Sequence, residues 1–181
     1  MRYLIALTLL VAPVAAGAQD VTPQAAPGAV SFDFKGRRLG DSANVRPRMR
    51  CTKDKDVNTE MCVGAERIAD RSVIVSHVYL DGRLIYFEFD YDADHFDALR
   101  PAFEAKYGTP ATAESTPYVT VGGYQYDQVT LTWQLKEGTL EMTKRGDNAR
   151  RGRAMIADDA GVTKWEERRK AKAAAAAKRD M

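Results

Sequence analysis

Apolar and polar residues alternate most regularly between positions 73 and 90. Two runs rich in β-branched and aromatic residues, 73–80 and 83–90, flank the dipeptide Asp81-Gly82. Asp-Gly is a preferred two-residue turn of a β-hairpin because both of its positions must accept a positive φ. The pattern therefore predicts a hairpin in which Val78 faces Ile85 and in which one face is almost continuously apolar.

The second face of this hairpin is expected to be only half apolar. In the same register His77 lies opposite Tyr86, and Tyr79 lies opposite Leu84. Tyrosine offers a large contact area with little loss of conformational entropy and is enriched at binding hot spots. We predict a binding surface that comprises His77, Tyr79, Leu84, Tyr86, Thr130 and Thr132. The alternative is an ordinary half-buried sheet face, partly covered by the C-terminal helix.

A helical repeat follows the hairpin. Apolar residues spaced by three and four predict a helix over residues 93–107 that covers the apolar hairpin face, with Gly108 placed to end it. These residues are Phe96, Leu99, Phe103 and Tyr107. Pro101 either kinks this helix or, if the helix begins nearer Asp97, lies in its first turn.

Further strands are predicted where short apolar runs alternate with polar residues. They cover residues 31–34, 118–121, 124–135, 139–144 and 154–157. Asp41 and Ser42 are placed to cap a short helix that ends near Met49, and residues 161–179 are rich in helix-forming Ala, Lys and Arg. The expected fold is α+β, with an antiparallel sheet of about five to six strands, a helix packed on one face, a short N-terminal helix and a basic C-terminal helix.

The first 18 residues have the features of a secretory signal peptide. Met1 and Arg2 precede an apolar run that is too short to span a bilayer, and Ala16 and Ala18 stand at the −3 and −1 positions before Gln19. We expect a periplasmic or secreted protein. The mature chain should comprise a flexible lead-in over residues 19–29, a single domain over residues 30–160 and a basic helical tail over residues 161–181.

Positive charge is concentrated in this tail. The 181-residue chain has a formal net charge of +2, whereas residues 164–181 alone hold seven basic side chains against three acidic ones. The candidate basic residues are Lys164, Arg168, Arg169, Lys170 and Lys172. They allow a weak contact with an anionic membrane surface, although the tail lacks the apolar stripe of an amphipathic anchor. Export and the lack of interleaved aromatic residues argue against nucleic acid as a partner.

Cys51 and Cys62 are the only cysteines of the chain, and both lie in the exported part. We predict a disulfide between them, because exported proteins meet an oxidising compartment. In the chain-entropy model, closing a loop of this size stabilises the fold by about 3 kcal/mol. No histidine lies between the two cysteines, so a metal site is not expected there.

No catalytic group, cofactor or metal site is predicted elsewhere. Four aspartates between positions 90 and 97 begin like a calcium loop, but His95 stands where such a loop has Gly and Pro101 stands where it has a bidentate Glu. Adjacent strand residues point to opposite faces, so Ser76 and His77 cannot act as a nucleophile and its base. We expect no enzyme activity, and a hydrolase that pairs His77 with Glu88 is the most distant alternative.

The segment from residue 34 to residue 90 resembles small exported proteobacterial proteins of uncharacterised function. The resemblance rests on Phe34-Lys35-Gly36, on Leu39-Gly40-Asp41-Ser42 with Val45, and on the two-cysteine loop followed by hairpins. More loosely, the segment is similar to the superfamily of β-lactamase-inhibitor proteins and small outer-membrane assembly lipoproteins. That resemblance implies a short helical segment against an antiparallel sheet whose face or rim holds other proteins. The chain departs from it by the helix at 93–107, by the tail and by the absence of a lipobox cysteine.

We therefore expect an exported, non-enzymatic protein-binding or accessory module that uses its tyrosine-rich sheet face. Its partner would be another envelope protein. The alternative is an envelope-associated or small-ligand-binding protein that uses the basic tail. The oligomeric state and the identity of a partner do not follow from the residue pattern.

Overall fold

The computed structural model describes residues 30–43, 49–146 and 148–179. The predicted signal peptide and lead-in lie outside the described residues, as does most of the predicted short helix that ends near Met49. Ser42, which we expected to cap that helix, forms an isolated β-bridge with Arg83.

Eight strands form one antiparallel sheet in the order β1-β2-β3-β4-β8-β7-β6-β5. The strands are β1 Arg50–Asp54, β2 Thr59–Ile68, β3 Arg71–Leu80, β4 Arg83–Asp92, β5 Thr112–Val119, β6 Gln125–Gln134, β7 Thr139–Thr143 and β8 Arg151–Ala157. A 3₁₀ turn, Ala93–His95, leads into helix α1, Phe96–Tyr107, and helix α2 spans Asp159–Arg179. Among the described residues, neither helix combines the length and the apolar character needed to cross a membrane.

The expected fold class is wrong, because the sheet has eight strands rather than five to six. Strands β1 and β2 carry the disulfide where we expected only a loop. In β2 the inward positions include Glu60 and Glu66 whereas Met61 and Val63 are exposed, so the apolar-in, polar-out alternation of a strand is missing. Strand β5 begins at Thr112 rather than at Tyr118. The predicted strand at 31–34 does not form; Phe34 and Arg37 instead close a tight turn through reciprocal backbone hydrogen bonds.

The β3–β4 hairpin forms, but its predicted register is wrong beyond Leu84. Asp81 and Gly82 both have positive φ, as the Asp-Gly turn requires, and Tyr79 does pair with Leu84. A β-bulge then makes Ile85 an extra residue, so that Val78 pairs with Tyr86 rather than with Ile85. From that point every residue of β4 faces a partner one position away from the predicted one.

Helix α1 covers one face of the sheet, and the hydrophobic core lies between them. Its predicted stripe is confirmed, since Phe96, Leu99, Phe103 and Tyr107 are all buried. The hairpin face that it covers is not the predicted one, because Phe103 packs on Phe89 while Val78 and Ile85 lie on the opposite face. Pro101 lies inside the helix rather than in its first turn. The N-terminal segment, residues 30–43, completes this layer by placing the buried rings of Phe32 and Phe34 against the sheet.

Helix α2 lies on the opposite face of the sheet. Val162 and Trp165 pack against a small apolar cluster formed by Val78, Leu80 and Ile85. Gly161 allows the close approach, because a side chain there would begin 2.5 Å from Cγ2 of Ile85. The predicted C-terminal helix is thus confirmed, and it contacts the sheet.

Candidate functional site

The predicted binding surface is divided between the two faces of the sheet. His77, Tyr79 and Leu84 lie on the core face, each no more than 2% exposed. The β-bulge at Ile85 is the reason, because it brings His77 opposite Phe87 rather than opposite Tyr86. Tyr86, Thr130 and Thr132 lie on the outer face and are partly exposed. The predicted surface is therefore wrong for these three residues, because no partner can reach their buried side chains in the folded chain.

The accessible aromatic residues lie instead on a projecting hairpin. Strands β5 and β6 pair along their whole length, but β6 pairs with β7 only between Thr130 and Gln134. Residues 116–128 therefore pair only with each other, and we call this two-stranded projection the arm. Seven large apolar side chains are exposed in the described part of the chain, and four of them are on the arm. They are Val119, Val121, Tyr124 and Tyr126.

Tyrosines dominate the outer face of the arm. Tyr118 lies directly opposite Tyr126. Tyr124 precedes Tyr126 by two residues and therefore lies on the same face. The same face continues into the body of the sheet through Thr130 and Thr132. Of the predicted binding surface, these two threonines thus lie on the same face as the tyrosines of the arm.

The base of the arm is fixed to the body of the sheet by Gln128 and Arg145. The backbone N–H of Arg145 donates to Oε1 of Gln128 at 2.7 Å, and Nε2 of Gln128 donates back to the carbonyl oxygen of Arg145. The guanidinium of Arg145 also lies 4.5 Å from the centre of the Tyr126 ring, in a cation–π contact. The arm therefore leaves the sheet in a defined direction.

The β5 edge of the arm is protected at one position against strand addition. The backbone N–H of Thr120 donates to the carbonyl of Tyr124, which sets the alternation of the antiparallel ladder. The N–H groups of odd-numbered residues in β5 consequently point away from β6, and Pro117 has none to offer there. Proline on an edge strand is a common device against unwanted pairing.

A buried polar network holds the N-terminal segment on the core face. Arg37, 4% exposed, donates from Nη1 to Nε2 of His77 at 3.0 Å and from Nη2 to Oε1 of Glu66 at 3.1 Å. Arginine is always a donor, so Nε2 of His77 accepts and Nδ1, which faces the Tyr79 hydroxyl, carries the proton. Burial and, second, the adjacent Arg37 lower the pKa of His77 to about 3. This neutral, enclosed imidazole stabilises the fold and has no access to a substrate.

The outer face carries a pair of carboxylates on β4. Glu88 and Asp90 are two residues apart on the same strand face, and the hydroxyl of Tyr86 donates to Glu88. Burial raises the pKa of Glu88, and the neighbouring Asp90 adds to that shift. Glu88 pairs with Ser76 while His77 pairs with Phe87, so Glu88 and His77 lie on opposite faces. The pair that the hydrolase alternative requires is therefore not brought together.

Three of the five candidate tail residues bind carboxylates that lie outside helix α2. Arg168 donates through both terminal nitrogens to Asp81, Lys164 donates to the same carboxylate at 2.8 Å, and Lys172 contacts Asp54 and Asp56. The hydrogen bonds from Arg168 and Lys164 hold the pKa of Asp81 well below its usual range. The other two cations, Arg169 and Lys170, contact Trp165 and Glu166 within the helix.

The predicted disulfide between Cys51 and Cys62 is present, and it joins directly opposed residues of β1 and β2. Within the described residues, Cys51, Cys62 and Glu60 are the one group of three metal-ligating side chains whose ligand atoms lie close together. Both sulfur atoms are engaged in the disulfide, so this group does not offer a thiolate site. The aspartates between positions 90 and 97 do not form such a group.

The exposed residues of the arm were missed by the sequence analysis. A signal for them was available, because Tyr124 and Tyr126 alternate with the polar residues Gln125 and Asp127 at the start of β6. The alternation predicted a strand correctly, but it carries no information on where the neighbouring strand ends. Only the shortness of β7 shows that this part of β6 projects from the sheet.

Comparison with known proteins does not identify a family or a function for this chain. No family model, no curated protein and no solved structure matches the chain. The resemblance to β-lactamase-inhibitor proteins and small outer-membrane assembly lipoproteins stays a prediction.

Proposed function

We propose that the protein is an exported accessory module that binds another envelope protein through the side chains of the arm. The observation that carries the proposal is that Val119, Val121, Tyr124 and Tyr126 are exposed together on a projection that lies outside the core. Export is supported by the N-terminal sequence pattern and by the Cys51–Cys62 disulfide.

The composition of the arm suits a protein partner. An isolated two-stranded hairpin is only marginally stable in water, and a partner that covered its apolar side chains would stabilise it. Fully burying a single valine-sized or larger side chain contributes about 1.5–3 kcal/mol. Tyrosines are frequent at binding hot spots, and the threonines beside them tolerate water between contacts.

The basic tail supports the alternative function less well. A tail that bound an anionic surface would need accessible cations, yet Lys164, Arg168 and Lys172 are paired with Asp81, Asp54 and Asp56. Membrane attachment through these three cations would first have to break their ion pairs, which leaves the exposed Arg169 and Lys170 as the accessible charges among the five candidate residues. The arm needs no such rearrangement.

Site-specific photo-crosslinking tests the proposal. A photoreactive residue at position 121 of the exported chain, in cells of the native host, should give a defined adduct with one envelope protein. The same residue at position 67, an exposed site on β2, is the control and should not give that adduct. If neither position 121 nor position 124 forms an adduct, the arm is not the binding element.

A matched pair of double variants gives a second test. Val121→Ser/Tyr124→Ser should abolish the adduct formed from a photoreactive residue at position 119. Met61→Ser/Ile74→Ser removes two other exposed apolar side chains, from β2 and β3, and should leave it unchanged. Equal loss in both double variants would contradict a role specific to the arm.

A further inference from the structure

A second feature, outside the arm, is an apolar cleft beside helix α1. Its walls are the buried rings of Phe34, Phe89, Phe103 and Tyr107, and its volume is about 110 Å3. Ile68 and Ala102, both only partly buried, lie at its opening. The Phe34 and Phe89 rings are 4.7 Å apart edge to face, and the Phe89 and Phe103 rings are 5.6 Å apart. The cleft is thus a rigid aromatic site of the kind that binds small apolar groups.

Two lysines line the same cleft. The ammonium group of Lys35 lies 5.5 Å from the centre of the Phe34 ring, and that of Lys106 lies 5.8 Å from the centre of the Tyr107 ring. Both amines are thus placed next to the aromatic walls.

The ion pairs around the cleft leave an excess of positive charge. Four cations share two carboxylates: Lys35 and Arg37 both bind Glu66, while Arg38 and Lys106 both bind Asp33. Each carboxylate can neutralise one cation, so this group of six retains two positive charges beside an apolar cavity. An anion with an apolar body fits both properties.

The volume limits the size of such an anion. A dry apolar cavity of about 150 Å3 binds a molecule of benzene. A cleft of about 110 Å3 is smaller than this, so it can take a short chain or partly enclose a single ring, with the polar end of the molecule outside. Long-chain lipids exceed this volume.

We propose that this cleft is a binding site for small apolar monocarboxylates, aromatic or short-chain, with the apolar part between the phenylalanine rings and the carboxylate at Lys35 and Lys106. The site is independent of the proposed protein-binding arm, which is formed by β5 and β6. One domain would then carry a small-molecule site on its α1 side and a protein-binding element at the other end of the sheet.

Titration of the chain from Gln19 to Met181 with benzoate tests the site, followed by amide NMR shifts. Saturable shifts should be centred on Phe103 and Lys106, and benzyl alcohol, which lacks the charge, should bind about tenfold more weakly. Absence of saturable shifts with benzoate, or equal affinity for the two compounds, would overturn the proposal.

Three variants locate the site. Lys106→Gln should weaken benzoate binding about threefold to tenfold, and Ala102→Phe should abolish it by filling the opening. Lys144→Gln is the matched control, because Lys144 is also ion-paired and also lies over a ring, that of Phe96, but it is outside the cleft. Unchanged affinity in Lys106→Gln would reject the site, and this result stands even if Ala102→Phe fails to fold.

Discussion

The two helices lie on opposite faces of the same sheet and are attached by different interactions. Helix α1 buries four large side chains, and Leu99 is completely inaccessible to solvent. Helix α2 places only Val162 and Trp165 on an apolar cluster, and most of its other contacts are ion pairs with surface carboxylates. Apolar burial is insensitive to salt, whereas exposed ion pairs are weak and screened. We therefore expect α1 to unfold together with the sheet and α2 to detach without unfolding it.

The largest effect on stability is expected from a substitution on the core side of the sheet, the side that helix α1 covers. Leu99→Ala should lower the free energy of unfolding by about 2–5 kcal/mol, because the cavity it leaves lies among fixed aromatic rings. Trp165→Ala, the corresponding loss of an apolar contact in α2, should lower it by less than about 1 kcal/mol. Urea denaturation followed by circular dichroism measures both values. Equal losses would show that α2 belongs to the same cooperative unit as α1.

The stability that the core side contributes should also depend on pH. His77 is neutral in the folded chain, with its pKa lowered to about 3, but its pKa returns to about 6.5 on unfolding. The unfolded chain therefore binds the extra proton, and stability falls as pH decreases from about 6.5 towards 3, by about 1 kcal/mol per unit.

His77→Gln isolates this contribution. The amide oxygen of glutamine can still accept from Arg37, but the side chain does not titrate. Urea denaturation at a series of pH values between 6.5 and 4.5 should show a flatter slope for this variant than for the wild type. The same slope in His77→Gln as in wild type would assign the acid sensitivity to other groups, such as Glu66.

The smallest effect is expected on α2 itself and should be visible only locally. Asp81→Asn keeps a residue that tolerates the positive φ of the turn but removes the charge that binds Lys164 and Arg168. Amide hydrogens of α2 should then exchange severalfold faster, and those of α1 should not change. Asp70→Asn, in the β2–β3 turn, is the control. Concentrated salt should have the same local effect on the wild type, and salt-independent exchange in α2 would contradict attachment by ion pairs.

The contrast between the helices also explains what the sequence could and could not predict. The stripe of Phe96, Leu99, Phe103 and Tyr107 is a local period, and it predicted α1 and its buried face correctly. The attachment of α2 depends on carboxylates that are distant in sequence, Asp54 and Asp81, and no local pattern relates them to Lys172 or Arg168.

The candidate site was predictable to a smaller degree. Alternation placed Thr130 and Thr132 on the outer face, but it also placed His77 there, because a single bulge residue is invisible to a period of two. The strands β1 and β2 were missed because a half-exposed edge hairpin has few apolar positions to alternate. The arm was missed because its exposure depends on the length of a neighbouring strand.

Ile85 serves the attachment of helix α2 rather than the pairing of the sheet. As the extra residue of the bulge, it is not needed for any pair of β3 with β4, yet it supplies the surface that Gly161 approaches and the carbonyl that accepts from the N–H of Asp158. Deleting it would leave every strand partner unchanged and would remove the point at which α2 begins. The same residue that adds nothing to strand pairing thus supplies part of the surface on which the C-terminal helix is attached.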